Sequence, residues 1–174
     1  QGKPVIRVLS TESWEELHAV PAVQYNNPIV HLTSTADGNA LAWNGAPMSF
    51  RIWKPGIEAP ISFEYPSEKS SISAMAWAPQ GRFLAIGTMF PPSLGIWDSA
   101  EQKLAKEFLF PGRGITHISW TSDGNRMATS SLNGDIEVWD VAAERSDIPI
   151  GGHHRVAFQC DWSPDEKQIV SVGE

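Results

Sequence analysis

The chain has a single cysteine in 174 residues. Cys160 therefore has no intrachain disulfide partner, and a metal cage built of thiolates alone is excluded. Basic residues are also scarce: 13 Lys and Arg stand against 20 Asp and Glu, for a net charge of −7. No Lys/Arg stripe runs along the chain, which argues against non-specific nucleic-acid binding. No run of about 18 apolar residues occurs, so membrane insertion through a spanning helix is not expected. No signal peptide is legible, and a start at Gln1 rather than Met leaves a processed or excised beginning open. The G-x-S-x-G elbow, the H-E-x-x-H helix and the Walker loop are all missing. The expectation is a chain with no catalytic residue, no metal site and no cofactor.

What the chain has in plenty is tryptophan, eight in all, and it is periodic. One set falls at Trp53, Trp97 and Trp139, another at Trp77, Trp120 and Trp162, in steps of 42 to 44 residues. Turn dipeptides keep the same beat at Asp37-Gly38, Gln80-Gly81, Asp123-Gly124 and Asp165-Glu166. One period before Trp53 stands Leu9, in IRVLS, and one period before Trp77 stands Ser34. Between landmarks the residues alternate with period two, as in AMAWAP, HISWTS and QCDWSP, which is the signature of strands. Met75 with Trp77, Ile118 with Trp120, and Cys160 with Trp162 are expected to share one face of each strand.

This pattern, with Trp97-Asp98, Trp139-Asp140 and Trp162-Ser-Pro-Asp165, resembles the WD40 repeat family. The resemblance implies an all-β fold, a WD-repeat β-propeller of about four blade equivalents belonging to a larger ring. Its blades would be complete over 28–66, 71–110 and 114–150. Residues 1–27 would give the outer strands of a preceding blade, and 155–174 the inner strands of a further one. WEELHAV (Trp14–Val20) could be helical on composition, but the repeat register places an outer strand there. A weak, proline-interrupted outer strand is expected near Asp147–Ile150. The two half-blades are complementary, with three possible closures: pairing within one chain into four blades, pairing of two chains into eight, or completion by further blades of a longer protein. The third is the favoured expectation, because bare strand edges are otherwise an aggregation hazard.

In the same family a His, a Ser/Thr, an Asp and the Trp often form a hydrogen-bonded tetrad. Here Pro47, Pro91 and Asn133 occupy the Asp position, and Gly112-Arg113-Gly114 the His position before Ile115. The tetrad is thus expected to be absent or degraded, leaving apolar burial to hold the blades. His153-His154-Arg155 is the most polar cluster. Its spacing lacks the three or four ligands zinc needs, so a loop with one structural His is the simpler reading. Cys160 alternates with Trp162 and is expected to be a buried, inert thiol.

Met89-Phe90-Pro91-Pro92 is an apolar loop that either tucks against its own blade or stands open as a partner contact. Lys69, Arg113 and Arg155 would share its side of the propeller, favouring an acidic or phosphorylated partner segment. The candidate partner-binding residues are therefore Lys69, Phe90, Pro91, Arg113, Asn133, His153, His154 and Arg155. The resemblance implies a non-catalytic scaffold whose loops and blade edges dock other proteins, with self-association through the exposed half-blades. An intracellular place, cytoplasmic or nuclear, fits that role. A narrower likeness spans Ser73–Gly173, where AWAP…IWD…GRGITHISW…SPDEKQIVSVGE is similar to the aladin-type nucleoporin propeller. It implies a place in the nuclear pore and at the nuclear envelope. The competing readings are the propeller domain of an enzyme whose catalytic residues lie outside the chain, and a small-ligand or phosphoinositide binder. The lack of an Arg-rich pair on a blade edge weighs against the last.

Overall fold

Strands whose side chains alternate present two faces, and in this protein both faces are apolar, so each sheet needs a neighbour on either side. The computed structural model describes residues 5–22, 31–46, 48–66, 71–110, 112–146 and 150–174. All strands pair antiparallel with their neighbours in sequence. β1 (Val5–Leu9) and β2 (Glu16–Pro21) make a two-stranded sheet. β3 (Leu32–Ser34), β4 (Leu41–Ala46), β5 (Ser49–Trp53) and β6 (Ile61–Glu64) make the first four-stranded sheet. The second holds β7 (Ile72–Trp77), β8 (Phe83–Thr88), β9 (Ser93–Asp98) and β10 (Lys103–Leu109). The third holds β11 (Ile115–Trp120), β12 (Arg126–Ser131), β13 (Ile136–Asp140) and β14 (Arg145–Ser146). β15 (Ala157–Trp162) and β16 (Ile169–Gly173) end the chain as a second two-stranded sheet. The fold is all-β and propeller-like.

The sheets stack in chain order through four apolar layers. Ile6, Val20 and Ala22 meet Leu41, Trp43 and Trp53; then Phe50 and Ile52 meet Trp77, Leu84, Ile86 and Trp97. Leu94, Ile96 and Phe108 meet Ile115, Ile118, Met127 and Trp139; Ala128 and Ile136 meet Ala157, Cys160 and Ile169. Each expected pair, Met75 with Trp77, Ile118 with Trp120 and Cys160 with Trp162, enters a single layer. Trp120 and Trp162 also donate their indole N–H groups backward, to the Ala76 carbonyl at 3.0 Å and the Ser119 carbonyl at 3.2 Å.

Turn chemistry fixes the hairpins. Thr35 donates to Asp37 and Thr121 to Asp123, each at 2.6 Å, and Ser163 to Asp165 at 2.7 Å. Those hydrogen bonds hold the Asp37 carboxyl down at about 2, and hold Asp123 and Asp165 below the usual carboxylate range. The Asp of each Trp-Asp pair caps a turn: Asp98 accepts from the Ala100 and Glu101 amides, Asp140 from Ala142 and Ala143. Arg82 also donates to Asp98 at 2.6 Å.

Of two local expectations, the first holds. WEELHAV forms a strand from Glu16, not a helix, with Val20 alone of that strand buried. Near the outer strand expected at Asp147–Ile150, the described residues show β14, which pairs Asp140 with Arg145 and Trp139 with Ser146 after the turn that Asp140 caps. Residues 147–149 lie outside the described residues, and the Ile150 amide donates to the Ile136 carbonyl. Among the described residues, β1–β2 and β15–β16 are two separate two-stranded sheets.

One position shows how neighbouring layers compensate. Gly95 in β9 has no side chain because Tyr65, from the preceding sheet, lies over it; an added Cβ would run into the Tyr65 hydroxyl and sit 2.9 Å from Leu104 Cδ1. The corresponding residue in β13, two before the closing Trp, is Glu137. In that layer Phe110 stacks on Trp139, with ring centroids 5.9 Å apart. Glu137 is 2% exposed and its Oε2 has no hydrogen-bond partner. Burial, with the Asp135 charge adding to it, pushes the Glu137 carboxyl up to about 7.

Gly95→Ala is expected to cost about 1–3 kcal/mol of stability by overpacking, read by urea unfolding, with Tyr65→Phe in the same chain recovering part of the loss. Additive losses in the double variant would contradict the contact. For Glu137, the folded state keeps its proton up to about pH 7 while the unfolded chain releases it near 4.5. The native state thus binds more protons across that window, and the group costs stability as pH rises. Glu137→Gln should gain in melting temperature over the parent from pH 4.5 to 7 and level off above. A constant difference across that range would contradict the shifted carboxyl.

Candidate functional site

The loops between β8 and β9, before β11, between β12 and β13, and before β15 meet along one continuous ridge. Thr88 Oγ1 donates to the Pro91 carbonyl at 2.8 Å and accepts from the Ser93 amide at 2.9 Å, tying down the first loop, whose Phe90–Pro91 bond is cis. The Met89 amide donates to the Ser71 carbonyl at 3.0 Å. The Met89 side chain occupies the space a side chain at Gly114 would need. With Met89 packed inward, Phe90 turns outward and is 56% exposed. Phe90 thus does not tuck against its own blade.

The next loops are joined by backbone. The Leu132 amide donates to the Gly114 carbonyl at 3.0 Å, and the Arg113 amide to Asn133 Oδ1 at 3.2 Å. Asn133 Oδ1 also accepts from Ser131 Oγ at 2.7 Å, and its Nδ2 donates to Asp135. The His153 amide donates to the Gly134 carbonyl at 2.9 Å, and Asp135 bridges Gly152. Gly134 has φ of +94° and abuts the His153 and Arg155 carbonyls, so only glycine fits both the turn and the approach. The ridge thus brings together Phe90, Pro91, Arg113, Asn133, His153, His154 and Arg155. Lys69, the remaining candidate, lies outside the described residues.

These residues differ in what they leave free. Asn133 is spent on loop geometry. His153 Nε2 bonds Ser171 Oγ at 3.0 Å, so it acts structurally, while His154 is exposed. Arg155 pairs with Glu174 at 3.9 Å, but the Arg side chain is 80% exposed and the pair holds it only weakly. Arg113 is exposed and, among the described residues, has no ion-pair partner. The tetrad survives in halves: Trp139 donates to Thr129 Oγ1 at 3.0 Å in one sheet, and His153 meets Ser171 in the next. Met89, which sets the exposure of Phe90, and Glu174, which faces Arg155, were not picked from sequence. The Gly-x-Gly opposite Met89 is the one signal that a bulky side chain had to fit there.

Cys160 is 1% exposed, and burial pushes its thiol up to about 12, far from a reactive thiolate. Burial, and then the charge of His117, lower His31 below its ordinary value. Among the described residues no group of three or more His, Cys, Asp or Glu could hold a metal ion. No helix there is long and apolar enough to cross a membrane.

Residues 66–173 match the family model described as eukaryotic translation initiation factor eIF2A. The chain is 24% identical over 180 residues to the 66 kDa stress protein of Physarum polycephalum, covering 99% of this chain and 30% of that protein. It is 24% identical over 132 residues to pre-mRNA-processing factor 17 of Homo sapiens, covering 72% of this chain and 22% of that protein. To the WD repeat-containing protein VIP3 of Arabidopsis thaliana it is 25% identical over 117 residues, covering 60% and 36%. The chain therefore spans 22% to 36% of the length of these three relatives. The low-identity WD-repeat likeness agrees with the propeller-like sheets, and the aladin-type resemblance gains no support from these matches. With more than half of its length matched by that family model, the chain belongs to the eukaryotic translation initiation factor eIF2A family.

Proposed function

We propose that the chain is a non-catalytic protein-interaction scaffold that docks a partner protein along the loop ridge. The observation that carries this reading is the pairing of fixed loops with unspent side chains: Phe90 is bare because Met89 is anchored, and Arg113 is bare because only its backbone is used. A surface held by backbone hydrogen bonds loses little conformational freedom on binding, so more of its contact energy appears as affinity. Aromatic and Arg side chains are the types that dominate binding hot spots. Arg113, Arg155 and His154 favour an acidic or phosphorylated segment, with Phe90 and Pro91 receiving its apolar neighbours. Partners are proteins rather than nucleic acid, in keeping with a chain of net charge −7.

The work is placed inside the cell, within a larger assembly. The names of the relatives support that setting, one for pre-mRNA processing and the matched family for translation initiation. A place in the nuclear pore is the finer form of this reading and rests on the Ser73–Gly173 pattern alone. The family and relatives give no indication of a catalytic family, so the enzyme-domain reading is not carried forward.

The triple variant Phe90→Asp, Arg113→Glu and Arg155→Glu, in the full-length protein, tests the ridge. Proximity cross-linking in cells should recover the principal partners at least about tenfold less than the parent, a loss of about 1.4 kcal/mol or more. Melting temperature should stay close to the parent, since surface substitutions usually shift stability by about 0.5 kcal/mol or less. Unchanged recovery with an intact fold would remove the ridge as the docking surface.

A further inference from the structure

The layer between the second and third four-stranded sheets is apolar and open at one edge. A hollow of about 330 Å³ lies there, lined by Phe83, Ile96 and Ala105 of the second sheet and by Val141 and Ala142 of the third. Both walls belong to four-stranded sheets in the middle of the chain, so neither end of the chain shapes it. The hollow sits beside the turns that join β11 to β12 and β13 to β14, at the opposite ends of the strands from the loop ridge.

The repeat does not fill this place the same way twice. Phe83 pairs with Asp98 as Arg126 pairs with Asp140, so the two hold one position. Arg126 lies over Trp162 of the next sheet, its guanidinium carbon 5.0 Å from the ring centre. In the first four-stranded sheet the position is Ala40, which precedes Leu41 as Phe83 precedes Leu84. Val141 follows Asp140 where Ser99 follows Asp98. Between the second and third sheets the two places thus hold Phe83 and Val141, both apolar and both half-buried. Stacking alone does not ask for this, since small or polar residues serve the neighbouring sheets. Ala105, at the bulge where the β9–β10 register shifts, and Ala142 are too short to fill the space.

The charges around the hollow are already answered. Arg82 donates to Asp98 through Nε at 3.0 Å and Nη2 at 2.6 Å. Lys106 Nζ donates to the Val141 carbonyl and pairs with Glu144, each at 2.9 Å. A rim whose charges are paired is complementary to an uncharged occupant. Two polar atoms stay open among the described residues. Arg82, whose guanidinium carbon lies 5.2 Å from the centre of the Phe83 ring, leaves Nη1 unused. Asn125 lines the hollow and leaves Oδ1 unused while its Nδ2 donates to Asp123. One donor and one acceptor match the acceptor and donor of a peptide backbone.

We propose that this hollow is a second docking site, which takes one apolar side chain from an extended, locally uncharged segment of a partner protein. The side chain lies against Phe83, Ile96 and Val141, and the backbone beside it accepts from Arg82 and donates to Asn125. An aromatic or aliphatic anchor seated in a pocket concentrates binding energy in one contact. The site is independent of the loop ridge and of what docks there.

A displayed library of short random peptides, panned on the full-length protein and depleted on its Ala142→Trp variant, tests the site. That variant fills the hollow and should keep the parent's melting temperature. Should the temperature fall, Val141→Ser, which copies Ser99 of the second sheet, replaces it in the depletion step. Surviving peptides should share one Leu, Ile, Met or Phe with no shared charge beside it. Their affinity, read by fluorescence anisotropy, should fall at least about tenfold when that residue becomes alanine, and should also fall when the protein carries Val141→Ser. Raised salt should leave it unchanged, as should the triple variant Phe90→Asp, Arg113→Glu and Arg155→Glu. No surviving peptide, survivors that share a charged residue, indifference to the anchor or to Val141→Ser, or loss of binding in the triple variant would each overturn the proposal.

Discussion

Everything in this molecule depends on apolar sheet faces being buried by the next sheet along the chain. Leu84, Ile86 and Trp97 point to the preceding sheet, while Ala85, Leu94 and Ile96 of the same strands point to the following one. A large side chain fully buried in this way contributes about 1.5–3 kcal/mol, and no single four-stranded sheet can collect that on both faces alone. Stability is therefore a property of neighbours, as in other stacked-repeat proteins. The regular period, the meandering order of strands and the unfinished character of the two half sheets all follow from this one requirement.

The polar chemistry of the turns serves geometry. Hydroxyl-to-carboxylate turns at Thr35–Asp37, Thr121–Asp123 and Ser163–Asp165 repeat on one rim. Where the second sheet has Gln80 in place of the aspartate, the side chain reaches across instead and donates to the Asp123 carbonyl at 2.8 Å. The loop ridge is held by amides and carbonyls together with Thr88, Asn133 and His153, while the side chains of Phe90 and Arg113 stand exposed. Glu137 is a buried acid, held where a proton suits it better than a charge.

How much of this could be read from the residues depends on how local the cause is. Strand identity at Ile72–Trp77 or Arg126–Ser131 is legible because the alternation and the flanking turns lie within a dozen residues. The capping role of Asp140, and with it the start of β14 at Arg145, was less so, because a Trp-Asp ending does not say how soon the chain returns. Phe90 could not be placed from its own loop, since its exposure is decided by Met89 fitting against Gly114 from another sheet. His153 showed its structural part only once Ser171, eighteen residues on, was seen beside it. The ridge as a group was readable because the repeat assigns those loops to one side; which members are spent and which are free was not.

The indole hydrogen bonds of Trp120 and Trp162 share a direction. Both run from a later sheet to the backbone of an earlier one, at Ala76 and Ser119. Side chains also reach the other way, from Thr116 to the Ala157 carbonyl at 2.6 Å and from Lys106 to the Val141 carbonyl at 2.9 Å. From the second four-stranded sheet onward, each sheet is thus tied to its neighbour by polar bonds running in both directions, and the apolar layer lies between them.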